Sequence, residues 1–588
     1  MEDIYRTHLA TNCNEDLLHQ SVLLNGWVQQ YRNLGGVIFI DLRDRSGIIQ
    51  VVISEANENN NLYKKAALLR CEYVIAVKGV LVKRAPQAIN PDLPTGRWEI
   101  IASDLKILNE ADPSPIPIKD DLDVAESVRL QYRYLDLRRP KMQRYLKNRH
   151  KVLQITRNFL SHADFMEVET PLLTKSTPEG ARDFLVPSRK QKNSFYALPQ
   201  SPQLFKQLLM IGGFEQYFQI SRCFRDEDLR SDRQPEFTQL DIEASFMGET
   251  NFLKLIESLV QKVFKEILEI DLITPFQRYT YQESLAIFGT DAPDLRFELP
   301  ITDFTQNLAT SSFVMFATNI ASGGVIKGIN LPKAAVWSRK KLDDINKLAK
   351  ELGATKGLLW ISFKSDQPSG PLVKHLSESE LKKLKELAKV NEGDLLIIVS
   401  EQDAIATPLL GKLRLIFAEK LDLVKTDQFK LAWITDFPLL SYQPEENRYD
   451  SMHHPFTAPN PADVHLLYTD PLAVRAKAYD LVLNGTEIAG GSLRINKQAI
   501  QQQIFKLLGF STADLKKQFG FFLEAFRFGT PPHLGIAFGL DRWLMYLNGC
   551  TSIRDSIAFP KTERGTCLLT DAPSNVTANQ LAELGLKI

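Results

Sequence analysis

Short apolar–polar alternations bounded by turn residues occupy the first hundred positions and predict five strands, at 22–31, 37–42, 48–53, 73–82 and 98–108. A helical stretch at 62–69 interrupts them between the third and the fourth. That order points to an OB-type barrel, with another small all-β module as the alternative. The run Pro113-Ser-Pro-Ile-Pro117 reads as stiff extended chain, a natural linker. From a basic segment at 129–149 onward, strands and helices mix up to about Pro275. Past Tyr281 the texture changes. Lys-rich helices at 340–352 and 378–388 and a strand-like run at 395–399 lie in a stretch short of the clustered Arg, Gln and Glu on either side. This stretch reads as an inserted domain ending near Lys430. The expected boundaries are 1–108 for the barrel, 109–140 for a hinge, 141–284 and 430–588 for two parts of a core, and 285–429 for the insertion. The whole is an α+β multidomain protein.

The 588 residues exceed one ordinary compact domain, in keeping with that division. Lys plus Arg and Asp plus Glu number 71 each, so any nucleic-acid contact must come from a local patch. Five cysteines, Cys13, Cys71, Cys223, Cys550 and Cys567, are scattered and form no C-x-x-C pair. They argue against a disulfide framework or a zinc site and suit a reducing cytoplasm. The first ten residues lack the apolar centre of a signal peptide and no run approaches a membrane span, so a soluble cytosolic protein is expected.

The densest chemistry lies in Phe224-Arg-Asp-Glu-Asp-Leu-Arg-Ser-Asp-Arg-Gln-Pro-Glu-Phe237, between apolar strand-like runs at 217–223 and 237–242. Two antiparallel strands joined by a long charged loop follow from the pattern. A charge run of this kind is usually a solvated surface hairpin. Against that, Arg225 adjoins the strand, where a guanidinium can hold a phosphate in a bidentate fork. Phe237 opens the return strand, where its ring could stack on a base, and Glu227 could accept from that base's amino group.

This stretch resembles the second signature motif of class II aminoacyl-tRNA synthetases. Residues 159–171, containing Phe165-Met-Glu-Val-Glu-Thr-Pro171, resemble the first motif, a helix and strand ending in proline at the dimer interface. Gly535-Ile-Ala-Phe-Gly-Leu-Asp-Arg542 resembles the third. A Gly-rich turn alone would mean little; three motifs in order are specific. Within the class, nearly the whole chain is similar to the bacterial type of aspartate enzyme. The matching stretches are Thr177-Pro-Glu-Gly-Ala-Arg-Asp183, Pro199-Gln-Ser-Pro-Gln-Leu-Phe-Lys206, Met452-His-His-Pro-Phe-Thr457 and Glu487-Ile-Ala-Gly-Gly-Ser-Leu-Arg494. The resemblance implies an OB-type anticodon-binding barrel, an antiparallel-sheet catalytic core, an inserted α/β domain and a homodimer. It also implies ATP-dependent loading of L-aspartate onto tRNA(Asp) through an aspartyl-adenylate, with tRNA(Asn) open as a second acceptor.

By the same resemblance Arg225 and Arg542 are the catalytic arginines, at the α-phosphate and the far end of ATP, and Arg225 also belongs to the aspartate site. Glu179, Gln203 and Asp241 surround the substrate ammonium, while Lys206 and Arg494 hold its side-chain carboxylate with His453 nearby. Phe237 stacks on adenine. Asp226, Glu227, Gln234 and Glu487 complete the nucleotide contacts with Gly539, Leu540 and Asp541. Asp480 and Glu487 are spaced to present carboxylates to Mg²⁺, the expected cofactor, and Gly490-Gly491 permits close approach of a ligand. Arg32, Leu34, Phe39 and Gln50 are the anticodon positions. Leucine at position 34 resembles enzymes restricted to aspartate tRNA, whereas Ala85-Pro-Gln-Ala88 matches neither pattern. Taken singly, Lys206 reads as a solvated surface lysine, Arg494 as half of a strand-edge ion pair, and His453-His454 as turn histidines. The alternation of Val37, Phe39 and Asp41 puts Phe39 on one face with Asp41, which favours an exposed ring, with the barrel core as the alternative.

Overall fold

The computed structural model describes residues 5–55, 60–177, 180–364 and 367–586, which gather into two compact units. The first unit runs up to Arg144 and adds Cys567–Ala572. Its strands Ser21–Asn33, Val37–Arg43, Ile48–Ser54, Trp98–Asn109 and Val74–Lys83 close into a barrel in that order. Alternate residues face inward, as a period of two requires: Ile38, Ile40 and Leu42 join Ile49, Val51 and Ile53 in the core. Phe39 and Asp41 therefore lie on the opposite face. Helix Asn60–Ala67 buries Leu62 and Ala66 against this core.

The stretch after Pro113 is more than bare linker. Ile116, Ile118 and Leu135 form a small apolar cluster. Short helices Glu126–Gln131 and Arg133–Asp136 follow, and the buried Asp136 pairs with Arg133 and, at 2.6 Å, with Arg139. The basic segment thus spends part of its charge internally, on a carboxylate supplied from within itself. The division between the units falls inside helix Pro140–His162.

The second unit runs from Tyr145 to Thr566 and resumes at Pro573. Its frame is an eight-stranded sheet in the order Gln277–Thr280, Leu431–Thr435, Ala478–Leu483, Thr486–Leu493, His533–Gly539, Glu236–Ser245, Gln216–Phe224, Met166–Glu167. Only the pairs at the two ends are parallel. Helices Pro140–His162 and Glu249–Leu268 cover one face. The second is strongly amphipathic, and Phe252, Leu253, Ile256, Leu259, Val260 and Val263 are fully buried. The other face is left for a site.

Between the Gln277–Thr280 and Leu431–Thr435 strands stands a second sheet, ordered Ile301–Asp303, Val325–Leu331, Leu395–Glu401, Leu359–Ser362 and antiparallel throughout. Leu395–Glu401 is buried along its whole length. Leu395, Ile397 and Val399 enter one apolar cluster while Leu396 and Ile398 enter another, so both faces are covered and the run reads as continuously apolar. Helices Arg339–Glu351, Glu378–Leu387 and Asp403–Lys420 accompany the sheet. Among the described residues no helix is long and apolar enough to cross a membrane.

Candidate active site

Strands Gln216–Phe224 and Glu236–Ser245 pair antiparallel from Phe224 opposite Glu236 to Gln216 opposite Ala244, so the charged residues 225–235 form the connecting loop. Leu240, Ile242 and Ala244 enter the core, which turns Gln239, Asp241 and Glu243 to the other side. There a cavity of about 470 Å³ opens. Its wall includes Gln203, Lys206, Arg225, Glu227, Gln234 and Phe237, and further round Asp241, His453, Glu487, Arg494, Gly539 and Arg542. Most of the predicted site residues are thus brought together from five separate stretches of chain.

At one end lies a box of four buried charges. Helix Gln203–Ile211 places Lys206 on the same side as Gln203 and Gln207. Lys206 is only 1 % exposed, and its Nζ sits 2.9 Å from Oδ1 of Asp241 and 3.4 Å from Oε2 of Glu243. Arg494 grips Glu243 with two bonds, Nε to Oε1 at 2.8 Å and Nη2 to Oε2 at 3.1 Å. Its Nη1 donates to Ser492 Oγ at 2.7 Å and meets Nε2 of His454 at 2.6 Å. Neither cation is a surface group, contrary to the reading of each residue alone. Burial pushes the Glu243 carboxyl upward, but Arg494 and Lys206 outweigh it and hold it down at about 2. For Asp241 burial wins over Lys206, and its carboxyl is raised. A Cβ on Gly535 would overlap Oε2 of Glu243, so glycine at that position makes room for the acid. Glu243 and His454 are the residues that sequence reasoning left out.

At the other end Arg225 lies over the Phe237 ring, 5.2 Å from its centroid. Glu227 pairs with Arg233 at 3.0 Å, and Arg542 reaches Asp232 at 3.1 Å and the main-chain oxygen of Glu487 at 3.3 Å. Several expected nucleotide contacts have other employment. Asp541 accepts from Arg149 and, at 2.8 Å, from the Thr238 amide, tying helix Leu540–Asn548 to the sheet. Gln234 spends its amide on Lys561, donating to the carbonyl at 3.0 Å and accepting from the N–H at 2.8 Å. The Leu540 side chain is in the apolar core, 1 % exposed, and cannot face a nucleotide. Asp226 lies outside the cavity wall, its amide bonded to the Arg182 carbonyl at 3.1 Å. Glu179 falls outside the described residues.

Asp480 and Glu487 stand on paired strands, with Gly490 opposite Asp480. The point where a Gly490 Cβ would sit is 2.8 Å from Oδ1 of Asp480 and 3.1 Å from Oε1 of Glu487. Gly491 answers a different need: a Cβ there would overlap the Gly535 carbonyl of the neighbouring strand. Burial first, then Glu487, raises the Asp480 carboxyl well above its usual range. His453 has its Nδ1 4.0 Å from Oδ1 of Asp480 and packs edge-on against Phe437. Burial, aided by Arg494, lowers its imidazole from 6.5 to about 4. In the unfolded chain this group takes up a proton near 6.5, so stability is full above that pH and is lost as pH falls from 6.5 to about 4. Glu243, depressed from 4.5 to about 2, adds a further loss over that lower range. His453→Gln is expected to flatten the fall of Tm between pH 6.5 and 4 and to leave the lower limb in place. Scanning calorimetry across pH decides it, and an unaltered upper limb counts against the assignment.

In the barrel, Arg32 stands opposite Phe39, and Asp41 stands opposite Gln50. Arg32 bonds Asp41 at 3.0 Å. Phe39 is half-buried on the outer face and Leu34 is 68 % exposed. Gln50, expected to offer a base edge, is 9 % exposed and donates to Glu99 at 2.8 Å. The parallel pairing of its strand with Trp98–Asn109 sets Glu99 directly beside it. Arg84 stands 3.9 Å from Glu99 on the same face. None of the five cysteines is joined in a disulfide.

A five-stranded closed barrel and an antiparallel core whose cavity joins a buried acid–base box to a row of arginines define a tRNA-charging enzyme of the second class, and the chain belongs to the family described as tRNA synthetases class II (D, K and N), whose model matches residues 125–563. An OB-fold nucleic acid binding domain matches residues 22–108. The chain is 51 % identical, over 99 % of its length and 98 % of the relative's, to the aspartate–tRNA(Asp/Asn) ligase of Caldanaerobacter subterraneus subsp. tengcongensis. It is 49 % identical, over 100 % of its length and 98 % of the relative's, to the aspartate–tRNA ligase of Clostridium acetobutylicum. Asparaginyl-tRNA synthetase from Pyrococcus horikoshii complexed with asparaginyl-adenylate shares the fold, with TM-score 0.60 at 19 % identity, over 95 % of this chain and 99 % of that one.

Proposed function

We propose that the chain is an aspartate–tRNA ligase that joins L-aspartate to tRNA(Asp) in two steps at the expense of ATP. The observation that carries the reading is the pairing of Lys206 and Arg494 with Asp241 and Glu243 at the end of the cavity that also holds Arg225, Phe237 and Arg542. Two cations beside one another suit a side-chain carboxylate, and acidic oxygens suit an ammonium. Asparagine's neutral amide would forgo the charge-assisted hydrogen bonds that a carboxylate makes to the two cations.

In the first step the substrate α-carboxylate oxygen bonds to the α-phosphorus of ATP, and the bond from that phosphorus to the bridging oxygen breaks, releasing pyrophosphate. The carboxylate is already ionised, so no general base is needed. The protein's part is alignment and charge neutralisation. Arg225 serves the α-phosphate, Arg542 the far phosphates, and Phe237 the adenine. In the second step the terminal ribose hydroxyl of the tRNA attacks the adenylate carbonyl and AMP departs.

Asp480 and Glu487 fit Mg²⁺. Their carboxylate oxygens converge beside Gly490, and Oδ1 of Asp480 is buried without a hydrogen-bond partner among the described residues. Bound there with ATP, the ion would offset phosphate charge. The barrel face around Arg32, Phe39 and the Gln50–Glu99 pair reads the anticodon by stacking and base-edge hydrogen bonds. The homodimer reading is supported by exposed apolar side chains on and just after the outermost strand, Met166–Glu167: Met166, Leu172 and Leu173 are each about half exposed. Cysteines without disulfides agree with a cytoplasmic setting.

Charging of tRNA(Asn) as well is a second reading, favoured by the relative named for both acceptors and opposed by Leu34. Aminoacylation of separated tRNA(Asp) and tRNA(Asn) with purified protein, ATP and Mg²⁺ tests both readings. Aspartyl-tRNA(Asp) is the expected product. Pyrophosphate exchange driven by asparagine or lysine and not by aspartate would overturn the assignment.

A further inference from the structure

The insertion enters and leaves the core beside one short turn. Strands Ala478–Leu483 and Thr486–Leu493, which carry Asp480 and Glu487, are joined by Asn484 and Gly485 with φ of 49° and 86°, the left-handed pair that a two-residue hairpin turn demands. On the entry side Asp294 packs onto Gly485, where a Cβ would lie 3.2 Å from that of the aspartate. On the exit side Asn484 is bonded to the backbone three times. Its Oδ1 accepts from the Lys430 N–H at 2.8 Å, its Nδ2 donates to the Gln428 carbonyl at 2.9 Å, and its own N–H donates to the Lys430 carbonyl at 3.1 Å. From the helix that bears Arg542, the Tyr546 hydroxyl meets Thr486 Oγ1 at 2.5 Å.

The entry segment is itself held by Arg414, a guanidinium 1 % exposed on helix Asp403–Lys420. It donates to the carbonyls of Leu299 at 3.1 Å, Asp294 at 2.9 Å and Phe297 at 3.0 Å, between the rings of Phe288 and Phe297. The helix comes close enough because Gly289 faces Gly411, and a Cβ on either would overlap the other's backbone. A buried cation whose bonds go to the backbone of one segment sets that segment's path; it does not read a ligand.

We propose that Arg414 is a positioning residue for the nucleotide half of the reaction: by holding 294–299 it braces the Asn484–Gly485 turn, and so sets where the Asp480 and Glu487 carboxylates stand. The inference rests on the ligase reading above. In the full-length enzyme Arg414→Met is expected to raise the KM for MgATP about tenfold in aspartate-dependent pyrophosphate exchange, to leave the aspartate KM within about twofold, and to be partly rescued in Arg414→Lys. Amide hydrogen exchange across 483–490, with no substrate added, is expected to quicken about tenfold. If Arg414→Met does not fold, Asn484→Asp, which sets an acid oxygen against the Gln428 carbonyl, carries the same expectations. An unchanged ATP KM with unchanged exchange at the turn overturns the proposal, as does an equal rise in both KM values. Wild-type protein without aspartate-dependent exchange would sink the ligase reading instead, and calorimetric titration of MgATP with the amide exchange would still decide the brace.

Discussion

Replacement of Arg494 by lysine is expected to cut kcat/KM for aspartate in pyrophosphate exchange by about 10²–10³-fold, the equivalent of roughly 3–4 kcal/mol, within the range for a disrupted buried ion pair. Lysine keeps the charge but not the planar fork that serves Glu243, Ser492 and His454 together. MgATP binding, at the opposite end of the cavity, is expected to change little. Part of the damage will be structural, because an ammonium at position 494 cannot reproduce the two-bond grip on Glu243. The pair Arg494→Met with Glu243→Gln separates the two effects. Removing both charges should restore the melting temperature without restoring exchange. Recovery of exchange in that pair would show that Arg494 serves only to hold Glu243.

Arg225→Ala is the second large effect, with exchange falling about 10²–10³-fold, the scale seen when one donor to developing charge is lost. Phe39→Ala should leave exchange intact and weaken aminoacylation by about tenfold, as the loss of one stacking platform of about 1–3 kcal/mol would. The contrast is informative because the first variant acts on phosphate chemistry and the second on RNA alone. Equal loss of exchange in both variants would refute that division of labour.

The barrel was legible because its strands alternate cleanly and its turns are marked, so the inward positions Ile38, Ile40 and Leu42 stand out from Phe39 and Asp41. The hairpin of residues 216–245 was legible for the same reason. What failed was the surroundings of each polar residue. Lys206 reads as a surface lysine because its helix neighbours say nothing of the carboxylates that arrive from a strand thirty-five and thirty-seven residues further on. Glu243 was within reach. Residues two apart on a strand share a face, so placing Asp241 in the site implies Glu243 beside it. Asp541 and Gln234, assigned to ATP by resemblance, both line the cavity, but their polar atoms are also held by partners distant in sequence, Arg149 with Thr238 and the Lys561 backbone. Such partners are set by tertiary packing and leave no local signal. In the basic segment, too, the pairing of Arg133 and Arg139 with Asp136 is a matter of packing that composition does not announce.

Gly535 opens the segment that ends in Arg542, yet the atom it makes room for belongs to the acid that orients Arg494. A nucleotide motif and an amino-acid pocket are therefore joined at a single position, and this limits how the sequence can drift. A change of Gly535 to alanine also meets the Ile242 carbonyl, 2.5 Å from where the Cβ would sit, so shortening Glu243 does not relieve it, and a shortened Glu243 strands Arg494. Position 535 is held to glycine by the backbone of the next strand and by a side chain of the pocket at once, so a pocket re-specified at position 243 should still keep that glycine.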